Sequence, residues 1–181
     1  MLETPEYKKI MRYAYALLKT ICQKYKTSLY TTSIHKLTYF TLAKFNDQLL
    51  RRTYRPYYYG PYSDDLMYAL NVLKEAKYVK TEREKYGVLY FVSNKKAPSL
   101  PEEEQVYQVV KELINADPEE QDILNNTAKL AELSKTHFLW KFYPELRTSQ
   151  ELARRARILG WKLSPTRIDS HLSVLKKANL L

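Results

Sequence analysis

Tyr78-Val79-Lys80-Thr81-Glu82 and Val88-Leu89-Tyr90-Phe91-Val92 are the two β-prone runs whose reading decides the fold. Between them, Arg83-Glu84-Lys85-Tyr86-Gly87 reads as a hairpin loop. Working outward toward the N-terminus, Ser63 is placed to cap a helix whose first turn holds Asp64 and Asp65, matched to the helix dipole. Leu66, Leu70 and Leu73 form the buried stripe of that helix. It follows a Tyr59-Gly60-Pro61 turn, because glycine and proline do not continue a helix. Earlier still, Thr32 or Ser33 caps a second helix with Ile34, Leu37, Phe40 and Phe45 near one face. Residues 5–25 carry Tyr7, Ile10, Met11, Ala14, Leu17, Leu18, Ile21 and Tyr25, the three-and-four spacing of an amphipathic helix. Three helices followed by a hairpin is the order of a winged helix. In that fold the third helix docks in a groove and the hairpin is the wing.

Toward the C-terminus, Ala97-Pro98-Ser99-Leu100-Pro101 reads as a linker. Two helical segments are predicted next, near 102–115 and 118–134, the second opened by Pro118 at a tolerated first-turn position. Thr136-His137-Phe138-Leu139-Trp140 then leads into Pro144. Thr148 and Glu151 have capping-box spacing and open a helix with Leu152, Ala156 and Leu159 facing inward; Gly160 ends it. Ser164 caps a last helix with Pro165 at its first position and Ile168, Leu172 and Leu175 as its stripe. Helix, glycine-containing turn and capped helix make a helix-turn-helix, with a turn a residue or two longer than the common form. The expected architecture is therefore mainly helical α+β. A winged helix fills residues 1–97, a linker and acidic helical segment fill 98–146, and a helix-turn-helix fills 147–181.

Composition closes most enzymatic routes. The chain has 181 residues, 30 Lys and Arg against 20 Asp and Glu, and a formal charge of +10. Its single cysteine, Cys22, excludes an internal disulfide, and neither CxxC nor HExxH occurs to support a zinc site. Three glycines, at 60, 87 and 160, are too few and too scattered for a dinucleotide-binding fingerprint or a P-loop, and no GxSxG elbow is present. Asp64 and Asp65 are consecutive helical carboxylates that point some 100° apart, with no histidine nearby in sequence, so they make a poor metal site. No metal, no cofactor and no enzymatic activity are expected. No run reaches about 18 uncharged apolar residues, which argues against a transmembrane helix. The acidic start Met1-Leu2-Glu3 lacks an apolar signal core. A cytoplasmic protein with no membrane partner is expected.

Charge is divided into three blocks. Residues 1–100 hold 18 basic and 8 acidic residues, residues 101–145 hold 4 and 10, and residues 146–181 hold 8 and 2. Basic faces of this kind serve phosphate backbones, and equally occur as ordinary solvated lysine and arginine. In the terminal helix Thr166, Arg167, Ser170, Ser173 and Lys177 lie near the outer face, where arginine can read guanine edges and Ser or Thr can meet phosphates or bases. Arg154, Arg155 and Arg157 of the preceding helix are candidate phosphate contacts, as are Arg83 and Lys85 of the wing. Double-stranded DNA binding and transcriptional regulation, by a homodimer that reads two half-sites, is the leading expectation. Solvated arginines on a helical pair that completes the core are the plainer alternative.

Fifteen of the 17 tyrosines lie in the first 100 residues. Tyr54, Tyr57, Tyr58, Tyr59 and Tyr62 crowd together with Arg51, Arg52 and Arg55, a composition suited to an interface, although some of these rings are expected to build core. Asp64 and Asp65 at the start of the third helix would repel phosphate, so exposed Tyr68 and Asn71 fit a protein partner as well as a base. Tyr54, Tyr57, Tyr58, Tyr62, Tyr68 and Asn71 are the candidate partner surface. His35, His137 and Trp140 are read first as core, with imidazole bonded to backbone and indole filling space, and Cys22 as a small buried side chain.

Three local signatures occur in order. They are Lys36-Leu37-Thr38-Tyr39-Phe40, Tyr59-Gly60-Pro61-Tyr62-Ser63, and Glu132-Leu133-Ser134-Lys135-Thr136-His137-Phe138-Leu139-Trp140. Together they resemble the Panacea domain, a family of antitoxin-associated and phage-associated proteins, over roughly residues 10–141. The resemblance implies a non-enzymatic protein that recognises a partner protein such as a toxin. An antitoxin or adaptor is thus the rival to the DNA-binding regulator, and the two coexist where an antitoxin represses its own promoter.

Overall fold

Helix α1 (Pro5–Thr20) starts where Thr4 accepts a hydrogen bond from the Tyr7 amide and proline takes the first helical position. In the computed structural model, which describes residues 4–93, 99–117 and 122–181, its Ile10, Ala14, Leu17 and Leu18 are fully buried. One wider helical turn, Ile21–Tyr25, extends it until Lys26 takes a left-handed conformation at φ 54°. The amphipathic reading of residues 5–25 thus holds, with Met11 and Tyr25 only half-buried.

Strand β1 (Leu29–Tyr30) is followed by α2 (Thr31–Lys44), the hub of the molecule. Every residue of α2 from Ser33 to Ala43 is buried, so it has no polar face and no stripe to read. Two expectations fail here. Thr32 and Ser33 lie inside the helix rather than capping it, and the N-cap residue, Tyr30, contributes no side-chain bond. Phe45 lies past the helix end with its ring partly exposed, not on the buried face.

A short helix α3 (Leu49–Thr53) leads into strands β2 (Arg55–Tyr57) and β3 (Gly60–Tyr62), which pair antiparallel with Tyr57 opposite Gly60. The tip of this hairpin is Tyr58-Tyr59, so Gly60 and Pro61 belong to a strand rather than to the turn. Gly60 has φ 96°, a region that favours glycine. A Cβ there would also stand 3.0 Å from the Ser134 hydroxyl and 3.3 Å from the Ala131 carbonyl.

Helix α4 (Asp64–Glu75) is capped by the Ser63 hydroxyl and buries Leu66, Ala69, Leu70 and Leu73 against α1. Strands β4 (Val79–Glu84) and β5 (Gly87–Val92) then form the expected hairpin, but with a tighter tip: Glu84 pairs with Gly87, leaving Lys85-Tyr86 as the turn. A three-stranded antiparallel sheet in the order β1-β5-β4 results, because Leu29 and Tyr30 pair with Tyr90 and Leu89.

Helix α5 (Glu102–Ala116) matches its expected span. Of the expected linker Ala97–Pro101, Ala97 and Pro98 lie outside the described residues, as does Pro118. Helix α6 (Thr127–Phe142) departs from the segment expected at 118–134: Asn126 caps it, accepting from the Lys129 amide, and it runs through the Thr136–Trp140 stretch. Helices α7 (Ser149–Ile158) and α8 (Pro165–Lys177) follow the reading closely, with the Thr148–Glu151 capping box, Gly160 at φ 76° and the Ser164 cap all present. Leu159 and Leu172 are only partly buried. Helix α8 packs on α5, α6 and α7, so one apolar cluster runs from Tyr13 to Leu180 across all three sequence segments. The protein is α+β and mainly helical.

Candidate functional site

The outer face of α8 is open. Thr166, Arg167, Ser170, Ser173 and Lys177 are all exposed, while Ile168, His171, Val174 and Leu175 point into the core. The Arg167 guanidinium is not idle: it pairs with Glu132 of α6 at 2.5 Å. The second oxygen of Glu132 lies 3.4 Å from His171 Nε2, and His171 Nδ1 bonds the Thr136 hydroxyl at 2.9 Å. Burial lowers the His171 pKa, against the pull of Glu132. Ser149 of α7 donates to Asp169 of α8, tying the two helices at their starts.

On α7, Arg154 and Arg157 are exposed, whereas Arg155 lies half-buried with its guanidinium 4.2 Å from the centre of the Tyr143 ring. Arg155 is thus engaged in packing, unlike its two neighbours. Arg83 and Lys85 are exposed on the β4–β5 hairpin, but Glu82 and Glu84 alternate with them. That hairpin carries no concentrated positive charge.

The candidate partner surface divides. Tyr54 is core: its ring is buried and its hydroxyl donates to the His35 carbonyl at 3.1 Å, so it is removed from any surface. The position one residue before β2 turns it inward, a switch that clustering in sequence conceals. Tyr62 is half-buried and stacks on His35 with ring centres 4.6 Å apart. Tyr57 and Tyr58 remain 56% and 70% exposed, and Tyr59 is 61% exposed beside them. Tyr68 and Asn71 are exposed on α4, with Tyr68 against Tyr7. Asp64 is engaged by Arg55 at 2.6 Å.

The three signature segments, far apart in the chain, converge. Lys36 Nζ donates to the Pro61 carbonyl at 2.7 Å, and Tyr39 donates to His137 Nδ1 at 2.8 Å. Gly60 lies against Ser134 and Lys135. Trp161, just after Gly160, donates its indole N–H to the Tyr57 carbonyl at 2.7 Å and so joins the α7–α8 turn to the tyrosine hairpin. His137 is core and bonded to backbone, as read; His35 is buried but bonds no backbone group through its ring among the described residues, Trp140 is only partly buried against the core, and Cys22 is half-buried rather than buried.

Two residues with unusual environments escaped a functional reading. Lys36 is 2% exposed and no carboxylate pairs with it among the described residues; burial, reinforced by the Lys135 charge, pushes its pKa down to about 7. His35 is equally buried, and neither ring nitrogen has a partner among the described residues; burial, with the Lys36 charge, lowers its pKa to about 3. A lysine flanked by Ile34, Leu37 and Phe40 was the available signal. Among the described residues no group of three His, Cys, Asp or Glu lies together as a metal site would require, and no helix is long and apolar enough to cross a membrane. No family model matches the chain, and no curated protein matches it.

Proposed function

We propose that the protein is a non-enzymatic, double-stranded DNA-binding regulator that presents α8 to the duplex. The observation that carries this reading is the division of α8 into a buried apolar face and an open face of Thr166, Arg167, Ser170, Ser173 and Lys177. Arg154 and Arg157 of α7 add positive charge on the neighbouring helix for phosphate contact. The order α1, β1, α2, α4, β4, β5, with β1 paired to β5, supports a winged-helix reading of the N-terminal part. Within it, Asp64 and Asp65 at the head of α4 leave the terminal pair as the better DNA contact. Symmetric half-site reading calls for a homodimer. Fluorescence anisotropy with a random duplex across a salt series tests the proposal. The intact chain is expected to bind with a steep salt slope, and a variant with Arg154, Arg157 and Arg167 all changed to Ala to lose both affinity and slope. No binding by the intact chain at low salt overturns it.

A second reading is favoured by the hairpin tip. Tyr57, Tyr58 and Tyr59 stand consecutively exposed on a strand pair braced from behind by Trp161 and α6. Rigid exposed tyrosines are good anchors for a protein partner. The convergence of the three signature segments supports the Panacea resemblance, and with it an antitoxin or adaptor role. A pull-down in which Tyr58→Ala with Tyr59→Ala loses a partner held by the intact chain supports this reading; identical partners for both exclude the hairpin.

A further inference from the structure

A small cavity of about 120 Å³ lies between the start of α2 and the tyrosine hairpin, lined by Thr31, Thr32, His35, Lys36, Tyr57 and Tyr62 among others. Three independent features point the same way. The α2 N-terminus at this cavity has no side-chain cap, so its first-turn N–H groups and the positive end of its dipole are left for another acceptor. The Lys36 ammonium, buried beside it, uses one donor on the Pro61 carbonyl and meets no carboxylate among the described residues. His35, 2% exposed, has both ring nitrogens without a partner among the described residues and lines the same space.

Lys36 and His35, both lining this space, each carry an N–H that an anion can accept from. Buried cations without a counter-charge are costly, and buried ring nitrogens without a partner add to that cost. An anion in the cavity removes both deficits at once.

We infer that this cavity is a phosphoryl-binding site, in which the α2 N-terminus, Lys36 and His35 hold the oxygens of one phosphate group. The size limits the buried part of the ligand. A water occupies about 30 Å³ of liquid, so the space is that of roughly four waters and admits a phosphate but not a nucleoside. Tyr57 and Tyr59 stand exposed at the rim, where a base carried on the phosphate stacks outside the cavity. Thr32, which lines the same space, adds a neutral hydroxyl donor, whereas the Thr31 hydroxyl already donates to the Val88 carbonyl at 3.3 Å. A lowered Lys36 pKa agrees with a cation poised to regain its charge when an anion arrives. This inference stands apart from DNA binding, because it concerns a cavity on α2 and a small ligand.

Isothermal titration of the full chain with inorganic phosphate and, separately, with adenosine monophosphate tests the site. Saturable binding of at least one is expected, with Lys36→Met reducing affinity at least tenfold. Tighter binding of the nucleotide identifies a base-bearing ligand; equal affinity identifies free phosphate. His35→Phe keeps the ring stacked on Tyr62 while removing the nitrogens, and is expected to weaken binding even if Lys36→Met does not fold. Absence of binding by the intact chain to both probes at millimolar concentration overturns the inference. So does binding that both variants retain unchanged.

Discussion

The Tyr39 hydroxyl and His137 Nδ1 lie 2.8 Å apart across 98 residues of sequence, both inside the core. His137 Nε2 meets the Leu180 carbonyl at 3.0 Å, and a carbonyl only accepts. The proton therefore resides on Nε2, and Nδ1 accepts from Tyr39. One neutral imidazole thus ties α2, α6 and the C-terminal end together. Replacing it with an apolar ring strands two buried polar groups, at about 1–3 kcal/mol each. His137→Phe is expected to lower unfolding free energy by roughly 2–6 kcal/mol on that basis, read from urea denaturation. A loss below about 1 kcal/mol would mean that water replaces the ring at both partners.

Acid should unfold the protein through its histidines. Burial holds His35 and His137 at a pKa of about 3, against 6.5 when exposed. Between these values the unfolded chain binds protons that the folded chain refuses, so stability falls as pH drops from 6.5 toward 3. Two such groups contribute a slope of about 2.7 kcal/mol per pH unit in the steep part of that window. Lys36 acts at the other end. Its folded pKa of about 7 lies below its unfolded value near 10.5, so stability rises with pH across that interval. Lys36→Met should flatten the rise between pH 7 and 10, measured by urea midpoints. An unchanged rise would locate the titration elsewhere.

Two glycines with positive φ separate strain from space. Gly60, at φ 96°, faces Ser134, Lys135 and the Ala131 carbonyl within 3.3 Å of an added Cβ; a Cβ at Gly160, φ 76°, meets nothing within 4 Å among the described residues. Alanine at either site incurs the left-handed penalty of about 1–2 kcal/mol. Only at position 60 must α6 also move away from the hairpin. Gly60→Ala is expected to lower Tm clearly further than Gly160→Ala. Equal shifts would show that the α6 contact yields freely.

How much of this was legible depends on the range of the interactions. The α7–α8 pair was readable nearly to the residue, because a Thr148–Glu151 capping box, a Gly160 stop and a Ser164 cap are side-chain-to-backbone events within four residues. Strand β1 was invisible: two residues have no periodicity, and they are strands only because Leu89 and Tyr90 come to meet them. Helices α2 and α6 blurred for a different reason. Both are buried nearly all round, so no apolar stripe marked where α6 begins or ends. Tyr54 and Tyr58 sit in one cluster in sequence yet one is core and the other surface, a distinction set by the turn into β2. The pairing of Lys36 with Pro61 is likewise a product of the fold.

The Arg167–Glu132 ion pair bears directly on the DNA-binding proposal. Under that proposal Arg167 reads a base edge, and Glu132, which holds its guanidinium, would put a negative charge beside the approaching duplex. An exposed pair of this kind is worth only about 0–1 kcal/mol, so a duplex competes for the guanidinium readily. Removing the acid should therefore help binding rather than harm folding. Glu132→Gln keeps the shape and a hydrogen-bond acceptor but cancels the charge. DNA affinity is expected to rise severalfold at low salt, with a smaller gain at high salt, where screening already weakens the repulsion. His171 offers an internal control. Glu132 raises its pKa against the effect of burial, so the same substitution should lower the His171 midpoint in an NMR titration. If that midpoint falls while DNA affinity stays constant, the acid has been neutralised and α8 does not meet the duplex at Arg167.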